Sequence, residues 1–211
     1  MRYIIFCNGN FDDYSMIKPY CSGEFKLICC DGGVKHAKIL NMKPDLIIGD
    51  FDSADKKDID FFREQNVEIV TFPAEKNDTD SAMALDIAIE ANASEIYIFG
   101  ATGTRLDHTL ANIGMLINAE KAGISAYIVD SHNIIEIISK EKHFTGGKGD
   151  LLSLIPISGK VLGVTTKGLY YPLENAALDF SRTRGVSNVF SEKNVCVTVK
   201  KGLIAAIRAR D

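Results

Sequence analysis

The chain has no long apolar run, no C-x-x-C pair and no lysine- or arginine-rich tract. Each absence removes a class of function. A helix needs about 20 consecutive apolar residues to span a bilayer, and no stretch approaches that. The opening segment, Met1 to Cys7, is apolar only briefly and runs straight into Asn8-Gly9-Asn10. It is too short for a secretory h-region and has no cleavage pattern, so no targeting segment is expected. The formal net charge is -4, from 24 Lys and Arg against 28 Asp and Glu. That balance lacks the electrostatic footprint of a general nucleic-acid binder but leaves an acidic metal site open. The five cysteines (Cys7, Cys21, Cys29, Cys30, Cys196) are odd in number, and the adjacent pair falls in a strand-like run. A disulfide framework and a zinc site are both disfavoured; free thiols in a reducing cytoplasm are expected. The four histidines (His36, His108, His132, His143) show no ligand spacing. The loops between strands and helices contain neither G-x-G-x-x-G nor G-x-x-x-x-G-K-[ST], so dinucleotide oxidoreductase and P-loop readings lose their main support. No internal repeat or low-complexity segment is present.

What is there is ordinary globular material: 211 residues, 46% hydrophobic and 25% charged. That length buries a substantial core and suits one large domain or two small ones. Up to about residue 131, strand-like and helix-like stretches alternate. Tyr3–Cys7, Phe25–Cys30, Leu46–Ile48, Val67–Val70, Glu95–Phe99 and Ser125–Val129 read as strands. Val34–Leu40, Lys56–Gln65, Thr79–Ala91 and Leu106–Ala122 read as helices. Such alternation predicts a mostly parallel sheet with right-handed crossovers and helices on both faces. After Ser131 helical periodicity stops. Short strand-like runs follow (Ile134–Ile138, Leu151–Ile155, Val161–Thr165, Val195–Val199, Leu203–Ile207), separated by Gly-rich and polar turns, an all-β signature. The expected domains are residues 1–131, α/β, and 132–211, an antiparallel β-sandwich.

Four features of the first domain each follow a strand, so they collect at the carboxyl edge where ligands bind open α/β sheets. The first is Asp31-Gly32-Gly33, whose glycines allow positive φ and an approach of backbone N–H groups to an anion. The second is Gly49-Asp50-Phe51-Asp52-Ser53. In an extended backbone Asp50 and Asp52 would share one side, and paired carboxylates suit Mg²⁺ beside substrate phosphates. The third is Lys76 to Ser81: capping needs one acidic residue, which Asp78 can supply, and Asp80 is left for metal. The fourth, Gly100 to His108, is a glycine-bearing loop before a helix, a phosphate cradle that includes Thr102 and the fixed fork of Arg105. Together they suit Mg²⁺-assisted transfer of a phosphorus group from a nucleotide.

Taken with their order and spacing, Asp31-Gly32-Gly33, Pro44 to Ser53, Asn77-Asp78-Thr79-Asp80 and Gly100 to Asn112 resemble the thiamine pyrophosphokinases of bacterial type. In the β-rich part, Gly168 to Leu173 and Gly185 to Asn188 are similar to that family's thiamine-binding segments. The resemblance implies transfer of the pyrophosphoryl group of ATP to the hydroxyethyl oxygen of thiamine, giving thiamine diphosphate and AMP. It implies Mg²⁺ at Asp31, Asp50, Asp52 and Asp80, with Asp52, Asp80 and Arg105 in catalysis. Nucleotide contacts would fall at Gly32, Gly33, Thr79, Thr102, Arg105, Asp107 and His108. Thiamine would meet Ser187, Asn188 and an aromatic at Tyr170 or Tyr171; other members often have Trp there, and this chain has none. The family's homodimer, with active sites between one subunit's α/β domain and the partner's β domain, is implied as well. Competing readings are another Mg²⁺-dependent phosphotransferase and a non-catalytic thiamine- or nucleotide-binding protein.

Overall fold

A computed structural model describes residues 1–11, 13–72 and 78–210. The chain divides into two compact units, Met1–Ser131 and His132–Asp211. In the first, six strands appear in chain order as β1 (Arg2–Phe6), β2 (Phe25–Cys30), β3 (Leu46–Gly49), β4 (Glu68–Thr71), β5 (Glu95–Phe99) and β6 (Ser125–Val129). They pair side by side as β6-β5-β1-β2-β3-β4, every pair parallel. Parallel strands buried on both faces read as continuous apolar runs. Ile4, Ile5, Phe6, Cys29, Ile47, Ile48, Ile98 and Phe99 are accordingly sealed from solvent.

Among the described residues four α-helices connect the strands: α1 (Val34–Ile39), α2 (Lys56–Arg63), α3 (Asp80–Glu90) and α4 (Leu106–Ala122). They form two packed pairs, α1 on α2 and α3 on α4, with α1 and α3 lying on the central strands and α4 on β6. Gly123 ends α4 in the left-handed conformation, where a residue without Cβ loses least. Among the described residues no helix is long and apolar enough to cross a membrane. A 3-10 helix, Tyr14–Cys21, was not legible as periodicity; its mark in the sequence is Asp13, whose carboxylate accepts from Ser15 N at 2.7 Å.

One buried histidine fixes the turn after β1. His36, 1% exposed, stacks on Phe11 with ring centroids 3.9 Å apart. Its Nε2 faces the Gly9 carbonyl and its Nδ1 the Tyr14 hydroxyl, each at 2.8 Å. A carbonyl only accepts, so Nε2 carries the proton and Nδ1 accepts from Tyr14. Burial, with Lys35 beside it, pulls the His36 pKa down to about 4 from 6.5. The unfolded chain therefore takes up this proton first. The contribution is complete above pH 6.5 and is lost as pH falls toward 4. At about 1.4 kcal/mol per pH unit it costs about 2 kcal/mol by pH 5. Urea unfolding between pH 7.5 and 5 is expected to show this loss in the native chain and a shallower slope in His36→Gln. Equal slopes would place the acid sensitivity elsewhere.

The second unit holds eight strands: β7 (Asn133–Ile138), β8 (Glu141–Thr145), β9 (Leu151–Pro156), β10 (Lys160–Lys167), β11 (Ala176–Asp179), β12 (Asn188–Val189), β13 (Asn194–Thr198) and β14 (Ile204–Ala209). Within it β12-β9-β14-β7 form one antiparallel sheet and β11-β10-β13-β8 another. Leu152, Leu154, Val161, Val164, Val195, Val197 and Ile204 fill the core. Strand β8 escaped the sequence reading because only Phe144 of its residues is buried. Its partner β13 supplies the pattern it lacks, pairing Val195 with Phe144.

Candidate functional site

The carboxyl edge of the parallel sheet opens into a cleft of ≈ 550 Å³, lined by the loops after β1, β2 and β5, by Ser53 of the loop after β3, and by the starts of α3 and α4. Two strand ends set its floor. Cys7 N donates to Phe99 O at 2.8 Å and Gly9 N to Gly100 O at 2.9 Å. A Cβ on Gly9 would stand 2.5 Å from Gly100 O, so this backbone crossing needs glycine. Cys7 and Cys30 also line the cleft. A hydrogen bond with Cys7, together with burial, pushes the Cys30 thiol well above its usual pKa, and burial does the same to Cys29. Both stay protonated at neutral pH and add no thiolate to the floor. All five cysteines are free.

Asp31 follows β2 with φ 48°, a left-handed conformation that Asp tolerates better than most residues. Its Oδ2 accepts from Ser53 Oγ. Its Oδ1 is buried and has no hydrogen-bond partner among the described residues. A buried carboxylate oxygen is costly unless something positive or protic meets it. The glycines beside it behave differently from the sequence expectation. Positive φ belongs to Asp31, not to Gly32 or Gly33, and neither glycine lines the cleft. A Cβ on Gly33 would lie 2.2 Å from Phe6 O, and one on Gly32 would lie 2.4 Å from Asn8 Oδ1. Gly33 is small because the end of β1 passes against it, and Gly32 because the Asn8 side chain of the following loop lies over it.

Asp50 and Asp52 also depart from expectation. The segment is not extended: Phe51 has φ 64°, rare for a bulky residue. Asp50 Oδ1 accepts from Asp52 N at 3.2 Å, closing a turn. Asp50 is half-buried and Asp52 exposed, and neither lines the cleft. Among the described residues the four aspartates do not form one tight cluster.

Asp80 lines the cleft at the first position of α3. The cap is Thr79, whose hydroxyl accepts from Ala82 N at 3.3 Å, rather than the exposed Asp78. Thr79 lines the cleft too, and its Oγ1 is 3.0 Å from Ser81 Oγ. Ser81 donates to Asn112 Oδ1 at 2.8 Å, and Asn112 Nδ2 donates to Ala101 O at 2.7 Å. This buried thread ties the start of α3 to α4 and to the loop after β5. Asn77 and Lys76 lie outside the described residues.

In the fourth feature Thr102, Arg105 and His108 line the cleft. The Thr102 hydroxyl donates to Asp130 Oδ2 at 2.8 Å. Arg105 makes a two-pronged pair with Asp107, Nε to Oδ1 at 3.2 Å and Nη2 to Oδ2 at 2.5 Å. The hydrogen bonds from Arg105 hold the Asp107 carboxyl down at about 2. Both side chains are exposed, so an arriving phosphate competes with Asp107 for a screened guanidinium.

In the second unit Tyr170 and Tyr171 are 66% and 62% exposed. Their rings meet edge to face with centroids 4.8 Å apart. Asn188 is buried beside them. Its Oδ1 accepts from Tyr171 N at 3.0 Å and Val189 N at 2.9 Å, and its Nδ2 donates to Tyr171 O at 2.7 Å. The Asn188 amide thus holds Tyr171 through Oδ1 and one of its two Nδ2 hydrogens. Ser187 is exposed, with φ 54° and its N donating to Ser153 Oγ at 2.9 Å.

Among the cleft residues given no role in the sequence reading are Asn8, Asn10, Ser53, Ser81 and Asn112, the last three lying inside quoted motifs without being singled out. Short polar residues after a strand look like any turn, and Asn112 sits mid-helix. Only the fold brings them together.

Comparison with known proteins agrees across both units. Residues 18–128 match the family model described as the catalytic domain of thiamin pyrophosphokinase, and residues 132–204 match its vitamin B1 binding domain. The thiamine pyrophosphokinase of Bacillus subtilis is 32% identical over 171 residues, 77% of each chain. The crystal structure of thiamine pyrophosphokinase from Bacillus subtilis superposes with TM-score 0.91 at 27% identity, covering 100% of both chains. That of thiamin pyrophosphokinase from Geobacillus thermodenitrificans gives 0.88 at 28%, covering 100% of this chain and 98% of its own. On these matches, spanning the α/β unit and the β-sandwich alike, the chain belongs to the thiamine pyrophosphokinase family.

Proposed function

We propose that this chain transfers the pyrophosphoryl group of ATP to the hydroxyethyl oxygen of thiamine, giving thiamine diphosphate and AMP, and that the cleft of the α/β unit is where it does so. The observation that carries the placement is Asp31 Oδ1: a buried, partnerless carboxylate oxygen on the wall of a cleft that also holds Asp80 and a glycine-bearing loop. Hard oxygen donors of this kind suit Mg²⁺. Asp31 and Asp80 would hold it from the cleft wall, and Asp50 and Asp52, which do not themselves line the cleft, would approach from the loop after β3, which reaches it at Ser53. Bound there, Mg²⁺ would neutralise charge on the polyphosphate and on the departing AMP.

The chain's own groups do the rest. The N-terminus of α4 offers a favourable dipole to phosphate oxygens beside Thr102 and His108. Arg105 exchanges Asp107 for phosphate and gives the polyphosphate a fixed fork. Ser81 and Asn112 keep the start of α3, and with it Asp80, in place. The two tyrosines present aromatic edges and faces to a cationic thiazolium, and Ser187 offers a hydroxyl to the aminopyrimidine. We assign these contacts to a second copy of the chain, in a homodimer with active sites between subunits; exposed Phe180 and Val186 near the tyrosines in sequence suit coverage by another surface. Free thiols suit a cytoplasmic setting.

The test is a product assay. Protein incubated with thiamine, ATP and Mg²⁺ is expected to yield equal amounts of thiamine diphosphate and AMP by chromatography, and none with EDTA. ADP with thiamine monophosphate would keep the site and change the reaction. Thiamine binding without turnover would point to a non-catalytic binder.

A further inference from the structure

The polar groups around Asp31, of which Asn8, Asn10 and Ser53 line the cleft and Lys35 does not, form a chain of hydrogen bonds with one direction. Lys35, on α1, places Nζ 2.9 Å from both the backbone O and the Oδ1 of Asn8, and 3.4 Å from Asn10 Oδ1. An ammonium only donates, so Asn8 must turn its Oδ1 toward Lys35 and its Nδ2 away. That Nδ2 donates to Ser53 Oγ at 2.9 Å. Ser53 receives this bond and sends its own proton to Asp31 Oδ2. Each link thus fixes the polarity of the next, from a cation at one end to a carboxylate at the other. Three separate segments contribute: the loop after β1, the loop after β3 and the β2–α1 junction. The outcome is an Asp31 whose Oδ2 is clamped and whose Oδ1 is buried without a partner among the described residues.

We infer that Lys35, Asn8 and Ser53 are positioning residues, a relay that orients the Asp31 carboxylate and presents Oδ1 to a divalent cation. The inference rests on the metal reading of Asp31 given above. Groups that orient a metal ligand without touching the metal typically change affinity 10- to 100-fold when removed. Lys35 is the informative member. Its three donors face Asn8 and Asn10 oxygens, and it does not line the cleft. Without its ammonium the Asn8 amide is free to flip. The flipped amide turns an oxygen to Ser53, whose proton then has a second place to go. Asp31 Oδ2 loses its clamp although no ligand has been removed.

Uptake of Mn²⁺, measured by the loss of its free EPR signal in the absence of nucleotide, separates the possibilities. The native chain is expected to bind, and Asp31→Asn to lose at least 100-fold in affinity. Lys35→Met and Ser53→Ala are each expected to lose about 10- to 100-fold, with melting temperatures close to native. Lys35→Arg, which keeps a donor, is expected to stay within a few-fold. If the native chain takes up no Mn²⁺, or Asp31→Asn binds as well as native, the metal reading falls and the relay with it. If Asp31→Asn loses binding while Lys35→Met and Ser53→Ala match the native chain, the metal reading stands and the relay is overturned. Ser53 is exposed and lines the cleft, so a loss in Ser53→Ala counts for the relay only when Lys35→Met, outside the cleft, loses binding too, and native binding in Ser53→Ala overturns the relay even if Lys35→Met folds poorly.

Discussion

Asp31→Asn is expected to lower kcat by about 10³-fold or more while moving the melting temperature little. The size follows from charge. Removing a single neutral donor aimed at developing charge costs about 10²–10³ in kcat in other enzymes. Asp31 offers a full negative charge, with one oxygen already buried and unbonded, so it belongs at the upper end. The fold has less to lose. Asn tolerates left-handed φ as Asp does, and its carbonyl can accept the Ser53 proton. The new cost is an amide NH₂ where Oδ1 stood, about 1 kcal/mol if it stays unbonded. Turnover from product chromatography and Tm from calorimetry, on one preparation, give both numbers. Near-native turnover with an unchanged Tm would remove the metal argument. A large drop in Tm would instead make Asp31 a structural residue of the β2–α1 junction. Asp52→Asn, on an exposed loop, should cost turnover too, by less than Asp31→Asn.

Different parts of the molecule were legible to different depths, for physical reasons. The parallel strands announced themselves because burial on both faces forces continuous apolar runs such as Phe25–Cys30 and Glu95–Phe99. Helix α4 was read with its observed ends, since Gly123 stops it. Strands β8, β11 and β12 were missed. β8 carries Glu141, Lys142 and His143 and depends on its partner for its pattern, and β12 is two residues long. Asp80, Thr102 and Arg105 could be named from strand-then-helix order, because order places them at one edge, whereas Asp31 as a metal ligand and Thr79 and His108 as nucleotide contacts came only with the family resemblance. Their side-chain states could not be named. That Phe51 would take φ 64°, that Asp107 would engage Arg105, and that Asn188 would hold Tyr171 are settled by competition among nearby donors and acceptors. Lys35, Asn8 and Ser53 share no sequence pattern; their register is set by three strand ends meeting.

Gly33 is where the two ways of reading the chain make opposite forecasts. Read as sequence, Gly32-Gly33 is a flexible cradle whose backbone approaches an anion. In that case Gly33→Ala should raise the KM for ATP and leave stability nearly intact. Read in the fold, Gly33 is buried, has no positive φ, and faces the backbone of β1. Its Cβ would stand 2.2 Å from Phe6 O and 2.7 Å from Phe6 C. Those atoms cannot rotate away like a side chain, because Phe6 is paired on both sides, with Cys29 and with Phe99. Relief requires α1 or the central strand to shift. Overpacking of this kind costs about 1–3 kcal/mol and occasionally more; with backbone as the obstacle, about 3 kcal/mol or more is expected. The lost stability should appear as a lower urea midpoint with an unchanged slope. Because the strained turn carries Asp31, turnover should fall alongside it, through kcat and metal affinity before the KM for ATP. A variant as stable as native but defective in ATP binding would restore the cradle reading. A destabilised variant with a native KM would establish Gly33 as a packing residue, small because a strand needs to pass.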